Sequence, residues 1–251
     1  MNWTFANLDL ITELTLNHIR LSAIPIVLGF VIAVPLGWLA SRHAALRAII
    51  VSGGSLLYTL PSLPLFVMLP YVLGTKVLSE TNVIVALTIY AVAVMVRSAA
   101  DALASTPQAA KEAATALGFS SFARFWRVEF PLAGPVLLAG LRVVSVSTIA
   151  LVSVGAIIGS RNLGYLFTNG KQRDFLEEIL VGIVASLLIA LVFDFLLVGI
   201  GRLLMPWHRG ARLPVRMPMR TSIGSGRARP AAVDTRATEA EQLADASAKG
   251  A

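Results

Sequence analysis

Apolar residues run along this chain in blocks too long for the core of a water-soluble domain, with short polar stretches between them. Residues 21–40 carry no charge, a length that matches the roughly 20 residues needed to cross about 30 Å of hydrocarbon. Residues 48–73 are also uncharged but over-long, and Pro61, Pro64 and Pro70 interrupt them. That segment reads either as one kinked span or as a span plus a re-entrant turn. Further apolar runs cover 83–100, with Arg97 near the end, then 136–158 and 179–200. The pattern predicts an all-α polytopic membrane protein with about five transmembrane helices, or six if the proline-broken segment crosses twice.

Composition narrows the class. With 56% hydrophobic residues, 14% charged residues and a mean hydropathy of +0.76, the chain is far more apolar than a soluble domain of its size requires. It contains no cysteine, which excludes disulfides and thiolate-bound metals. His18, His43 and His208 fall outside the apolar runs, so no metal site or buried proton relay is expected. No G-x4-G-K-[ST] phosphate loop occurs, so the chain does not hydrolyse ATP by that route, and neither an enzyme activity nor a cofactor is expected.

Charge sets an orientation. Arg42, Arg47, Arg97, Lys111, Arg124, Arg127 and Arg202 cluster in segments that five crossings place on one side, and the basic side of a membrane protein is cytoplasmic. The expected arrangement has an external N-terminal arm over 1–20, a transmembrane domain over 21–206 and a cytoplasmic C-terminus. Arg161, Lys171 and Arg173, on an outer loop, run against the trend. The first twenty residues include Asp9 and Glu13 and lack a basic start, so no cleavable signal peptide is expected. Residues 207–251 turn to Gly, Pro, Ser, Ala and Arg, a composition that does not bury a core, and a disordered cytoplasmic basic tail near anionic lipid is expected there. No folded nucleic-acid module accompanies that tail.

One polar segment, 106–131, stands apart from the apolar runs. Thr106 suits an N-cap with Pro107 in the first helical position, and Ala110, Ala113, Ala114 and Leu117 then share one small apolar face. Gly118 sits where a helix end favours a left-handed residue. Ser120 or Ser121 begins a second short helix, with Phe122, Phe125 and Trp126 on one face, ending before Pro131. Lys111, Glu112, Arg124, Arg127 and Glu129 fall on the polar sides, open to water or to another protein. Periodicity alone serves equally an ordinary cytoplasmic loop with helical content.

The residues themselves say more. Glu112-Ala113-Ala114, three residues, Gly118, nine residues, then Val128-Glu129-Phe130-Pro131 resembles the EAA loop of ATP-binding cassette importer permeases, written E-A-A-x3-G-x9-I-x-L-P. The residues Tyr58-Thr59-Leu60-Pro61-Ser62-Leu63-Pro64, 82–90, 132–154 and Ile157-Ile158-Gly159 followed by Leu163-Gly164 are similar to permeases of osmoprotectant importers over about 16–207. Members of that group usually read I-G-x-G-G-L-G after the fourth span, and this chain has Ser160, Arg161 and Asn162 in the middle.

The resemblance implies a permease that imports glycine betaine, choline, carnitine or proline, with an alternative in methionine-type permeases. It also implies three protein partners: a cytoplasmic ATPase, a second permease chain and an extracytoplasmic solute-binding protein. Membrane lipid surrounds them, and no nucleic acid is involved. Glu112 and Gly118 are the candidate coupling residues, the first for polar contact with the ATPase and the second for the bend, while Ala113 and Ala114 permit close approach. A secondary transporter would show repeats or paired broken helices, which are not visible, and a scaffold would not need the EAA spacing.

Inside the spans, Arg142 and Asp194 fall at similar depth, and an unpaired charge there costs about 2.5 to 3.5 kcal/mol on insertion scales. They are a candidate intramembrane ion pair, the alternative being that each faces water or the second permease chain. Gly155 and Gly159 read as a helix-packing pair, and Trp38 and Trp207 as interface anchors. Tyr58, Phe66 and Tyr71 are too few and too spread to form a cation cage, and no solute-binding residue is assigned.

Overall fold

The computed structural model describes residues 2–207, and every regular element among them is helical. A short α1 (Asn2–Ala6) leads into α2 (Leu8–Arg42), followed by α3 (Ala44–Thr59), α4 (Ser62–Leu73) and α5 (Glu80–Ala104). The polar segment folds as α6 (Gln108–Ala116) and α7 (Ser121–Arg124). A π-helical turn, Phe125–Glu129, joins α7 to α8 (Phe130–Val154), and α9 (Gly164–Gln172) and α10 (Leu176–Leu204) complete the bundle. Four helical stretches, Leu8–Arg42, Glu80–Ala104, Ser121–Ile158 and Leu176–Leu204, are long and apolar enough to cross a membrane. The α3–α4 pair makes a fifth if it counts as one broken span.

That break has a local cause. Pro61 disfavours the helical conformation for the residue before it, and Leu60 adopts φ −63° and ψ 130°. The two helices therefore meet at 102°, the geometry of a broken span or a re-entrant turn. Gly74, at φ +65°, closes α4, and the buried Asn82 holds the following turn by donating to the carbonyls of Lys76 and Val77 at 2.9 and 3.4 Å.

Three sequence expectations are corrected here. The segment 8–20 is not an arm ahead of the first span but the first turns of α2, with Leu14 and His18 fully buried. The helix begins early because Leu14 joins an apolar cluster with Ile149, Leu163 and Leu166. His18 is consequently inside the bundle, its Nε2 3.1 Å from the Ile149 carbonyl of α8, where one ring nitrogen satisfies an otherwise costly buried polar group. Gly155 and Gly159 do not form a helix-packing pair either. Gly155 opens a 3₁₀ turn, Gly155–Ile158, and Gly159 ends it at φ +89°.

The centre of the bundle is the seam between α2 and α5. A Cβ added at Gly29 would lie 2.5 Å from the Ala91 Cβ, and one at Gly37 would lie 2.5 Å from the Ala99 Cβ and 2.8 Å from the Ala100 nitrogen. Lipid tails are as apolar as leucine, so helix association in a bilayer depends on such close approach rather than on a hydrophobic driving force. Ala33, Ala91, Met95, Ala99, Ala102 and Leu103 form the buried core along this seam, with Leu137 and Val144 of α8 against it. Arg47 and Asp101 pair near one end of α5, and Arg20 and Glu80 near the other.

Gly37→Ala is therefore expected to destabilise the protein by about 1–3 kcal/mol, the range for overpacking a tight core. Gly53, with nothing within 4 Å of an added Cβ, is the matched control. Thermal unfolding in detergent should show a lowered midpoint for Gly37→Ala and none for Gly53→Ala. Equal midpoints would remove the seam as the organising contact.

Candidate functional site

The polar connection between α5 and α8 is built from two capped turns. Pro107 is itself the residue flanking α6, and the helix starts at Gln108, one position later than the sequence reading. Thr106 does not cap it, since its hydroxyl is buried with no hydrogen-bond partner. At the other end Gly118 adopts φ +82°, its N–H donating to Thr115 O at 3.0 Å while Phe119 N–H donates to Ala114 O at 3.1 Å. This pair of bonds is a Schellman turn, which ties up carbonyls that the helix end leaves free. An added Cβ at Gly118 would meet nothing within 4 Å, so glycine is needed there for its dihedral and not for space.

Ser120 then caps α7, its side chain accepting from Ala123 N at 3.3 Å. Pro131 does not end this second helix as the sequence reading had it. The chain passes through the π turn and continues into α8, with Pro131, which has no N–H to donate, in the first turn of α8 where the π turn shifts the hydrogen-bond register. The short second helix, the π turn and the long apolar helix are thus one continuous rod, Ser121–Ile158.

The α6 face also divides differently. Ala114 is buried and Ala110 half-buried, whereas Ala113 is exposed and Leu117 is 78% exposed. The inner face seats α6 on the bundle, and the outer one stays open beside Phe122 and Trp126, which are 67% and 51% exposed. Glu112 lies on the exposed side and accepts from Gln108 Nε2 at 3.1 Å, leaving its carboxylate largely available.

Glu129 does not lie on a polar side open to water. It is buried, and its Oε1 accepts from Arg124 Nε at 2.7 Å, while Arg124 Nη1 donates to Thr115 Oγ1 at 2.8 Å. Thr115 in turn donates to Lys111 O, and Lys111 Nζ reaches Leu103 O at 3.3 Å. This chain of polar contacts straps α6 to the base of α8 and the end of α5. Trp38 packs on Phe125 with ring centroids 5.0 Å apart, and the Arg42 guanidinium lies 4.2 Å above the Trp38 ring and 3.5 Å from Ser121 O. Together α2, α6 and the π turn enclose an open cleft of about 590 Å³, lined by Arg42, His43, Lys111, Glu112, Arg124 and Glu129 among others.

Arg142 and Asp194 lie together. The guanidinium grips the carboxylate with both nitrogens, Nε to Oδ1 at 2.6 Å and Nη2 to Oδ2 at 2.8 Å. Of the aromatic residues considered for a cation, Phe66 is fully buried, Tyr71 is exposed, and Tyr58 meets Tyr90 edge to face at 6.1 Å. On the loop after α8, the buried Asn162 accepts from Gly164 N at 2.7 Å and donates to Ser160 O at 3.2 Å. Its side chain closes the turn. Arg161 and Arg173, which run against the charge trend, lie 3.4 and 3.8 Å from Glu13 and Glu178. Trp207 is half-exposed, and the basic tail beyond it, with His208, lies outside the described residues.

Removing one member of a buried ion pair leaves an uncompensated charge, at a cost of about 3 kcal/mol where the partner keeps some solvent contact. Glu129→Ala is expected to lose that much in a denaturant titration in detergent, and Glu112→Ala, on the exposed face, to lose less than about 0.5 kcal/mol. Equal losses would mean that Glu129 does not hold the turn.

Comparison with known proteins agrees with this arrangement. Residues 19–210 match the family model described as "Binding-protein-dependent transport system inner membrane component". The osmoprotectant import permease protein OsmW of Salmonella typhimurium strain LT2 is 32% identical over 78% of this chain and 93% of its own length. The glycine betaine/carnitine/choline transport system permease protein OpuCD of Bacillus subtilis strain 168 is 27% identical over 76% and 82%. Among solved structures, an inward-facing form of the MetNI methionine ABC transporter superposes with a TM-score of 0.70 over 79% of this chain and 98% of its own, at 21% identity, and so shares the fold. A family match over most of the chain, a bundle of membrane-length helices and a polar turn carrying the EAA spacing lead to one conclusion: the chain belongs to the inner-membrane components of binding-protein-dependent transport systems, as a multi-pass permease subunit.

Proposed function

We propose that this chain forms the translocation pathway of an ATP-binding cassette importer for a small compatible solute such as glycine betaine, choline, carnitine or proline. The solute class rests on OsmW and OpuCD, which align along most of their length with this chain. A methionine-type permease is the second reading, and the likeness to MetNI supports it at the level of fold only. A cytoplasmic ATPase docks on α6, a second permease chain completes the pathway, and a solute-binding protein delivers cargo at the outer face.

The observation that carries the ATPase contact is the outward side of α6. Leu117 at 78% and Phe122 at 67% exposure, beside Ala113 and the carboxylate of Glu112, offer apolar area with a charged edge. This suits a protein groove better than water. Arg42, His43, Lys111 and Arg124 meet around the cleft at this end of the bundle, which supports a cytoplasmic side there by the excess of basic residues. The N-terminus is then external and the C-terminus cytoplasmic.

In this reading, closure of the ATPase dimer moves α6, and the buried Glu129–Arg124–Thr115 contacts carry that displacement into α8 as a rigid body. Glu112 makes the polar contact to the ATPase, Ala113 allows close approach, Ala114 seats the helix, and Gly118 sets its angle.

Cysteines replacing Ala113 or Ala116, both exposed, should crosslink to a cysteine in the ATPase groove. Gly118→Pro forces φ to about −65° and removes the N–H that bonds Thr115. Solute uptake should fall to background while ATP hydrolysis persists, and wild-type uptake would exclude the bend from coupling. Uptake of labelled glycine betaine, choline and methionine by the assembled importer separates the two solute readings, methionine uptake alone favouring the second.

Topology has its own test. Reporter fusions after Glu80 and Asp174 should read as external, and fusions after Arg47, Ser121 and Arg212 as cytoplasmic. A cytoplasmic reading after Glu80 would require α3 and α4 to cross separately.

A further inference from the structure

The Arg142–Asp194 pair is not sealed inside the bundle. Arg142 is equidistant in sequence from Phe130 and Val154, the ends of α8, and its side chain keeps 44% of its exposure, while that of Asp194 keeps 30%. The pair lies in an open groove of about 420 Å³ between α8 and α10, lined also by Ala139, Val143, Val146 and Ser147. A full positive and a full negative charge are thus presented at mid-helix on spans long enough to cross a bilayer.

Hydrocarbon does not tolerate that placement. Ionised groups at this depth face protein or a water-filled passage, and where they pair they mark solute and ion routes. Pairing with each other cancels the net charge but leaves several guanidinium N–H groups and carboxylate lone pairs without protein partners, since one fork-to-fork contact uses only two of each. Water satisfies these groups at no conformational cost. The small lining side chains, Ala139, Val143 and Ser147, leave room beside them.

We propose that the α8–α10 groove lines the aqueous solute passage, and that Arg142 and Asp194 offer a matched positive and negative charge to a small zwitterion. The proposal rests on the transport reading and adds a substrate class to it. A carboxylate on the solute competes with Asp194 for the Arg142 fork, while its ammonium group, even a quaternary one without N–H, offers Asp194 a counter-charge, so a zwitterion exchanges one neutral pairing for two. A solute carrying only a cation satisfies Asp194 and leaves Arg142 without a counter-ion.

The test uses the assembled transporter in membrane vesicles, and the absence of native cysteine in this chain makes single labels unambiguous. Val146→Cys places a thiol in the groove, and Leu196→Cys, two residues from Asp194, places one on the opposite side of α10. Thiolates form in water, so a charged, membrane-impermeant thiosulfonate reagent should label Val146→Cys at least about tenfold faster than Leu196→Cys. An inert Val146→Cys, or one that forms a disulfide with the second permease chain while the reagent fails, would overturn the passage assignment.

Arg142→Gln should raise the half-saturating concentration for glycine betaine about tenfold, the lower end of what a charged hydrogen bond contributes, and leave that for choline unchanged or lower, since choline leaves Arg142 without a counter-ion. Equal losses for both solutes would sink the zwitterion assignment. Labelling does not depend on which solute is carried. A reactive Val146→Cys in a transporter that moves neither glycine betaine nor choline keeps the passage and refutes the solute class instead.

Discussion

The contact on which this bundle depends is the approach of α2 to α5 through glycine. Gly29 lies over Ala91 and Gly37 over Ala99, with no room for a methyl group at either crossing. In a bilayer the backbone satisfies its own hydrogen bonds within each helix, and what remains to hold helices together is dispersion between closely fitted surfaces. Once α2 and α5 are in register, α8 packs on α5 through Leu137 and Val144, and α3 is drawn in at Gly54, where an added Cβ would lie 2.9 Å from Val96. By contrast α10 buries little of itself against the rest, leaving Leu187, Leu191 and Phe195 exposed to lipid or to another chain.

The polar segment between α5 and α8 is anchored on that core. The Schellman turn at Gly118 fixes the exit angle of α6, and Arg124, bonded to both Thr115 of α6 and Glu129 of the π turn, ties α6 to the start of α8. A π turn is an uncommon element, often kept at functional sites. Here it rotates Phe125 inward against Trp38 and sets Glu129 into the bundle, and so accommodates a carboxylate that a regular helix would present elsewhere. The outer side of α6 stays exposed while its inner side carries the contacts to the bundle.

Four buried polar residues repeat one pattern. His18 contacts a carbonyl 131 residues away, Glu178 is fully buried and accepts from Asn169 at 2.7 Å, and Asn82 and Asn162 each hold a turn with their own side chains. Each would destabilise an apolar interior if unpaired, and each has a partner where two elements meet. These pairs specify how loops and helix ends close, while the apolar surfaces specify only that they associate.

Much was legible in the chain itself. Run lengths set by bilayer thickness located the long helices, because a backbone in hydrocarbon has almost no alternative to a helix. The Gly118 bend, the Ser120 cap and the EAA spacing are local, depending on residues within a few positions of one another, and local chemistry is readable from sequence. Similar depth made Arg142 and Asp194 candidates for a pair, with water or another chain as the alternative, and their contact was decided by the packing of α10 beside α8. The tertiary structure decided whatever needs a partner far along the chain: the burial of Glu129, the start of α2 at Leu8, the inward turn of His18 and the division of the α6 face. Hydrophobic periodicity says that a side is apolar and not what covers it, and Ala113 and Ala114 are equivalent until α6 is laid against the bundle.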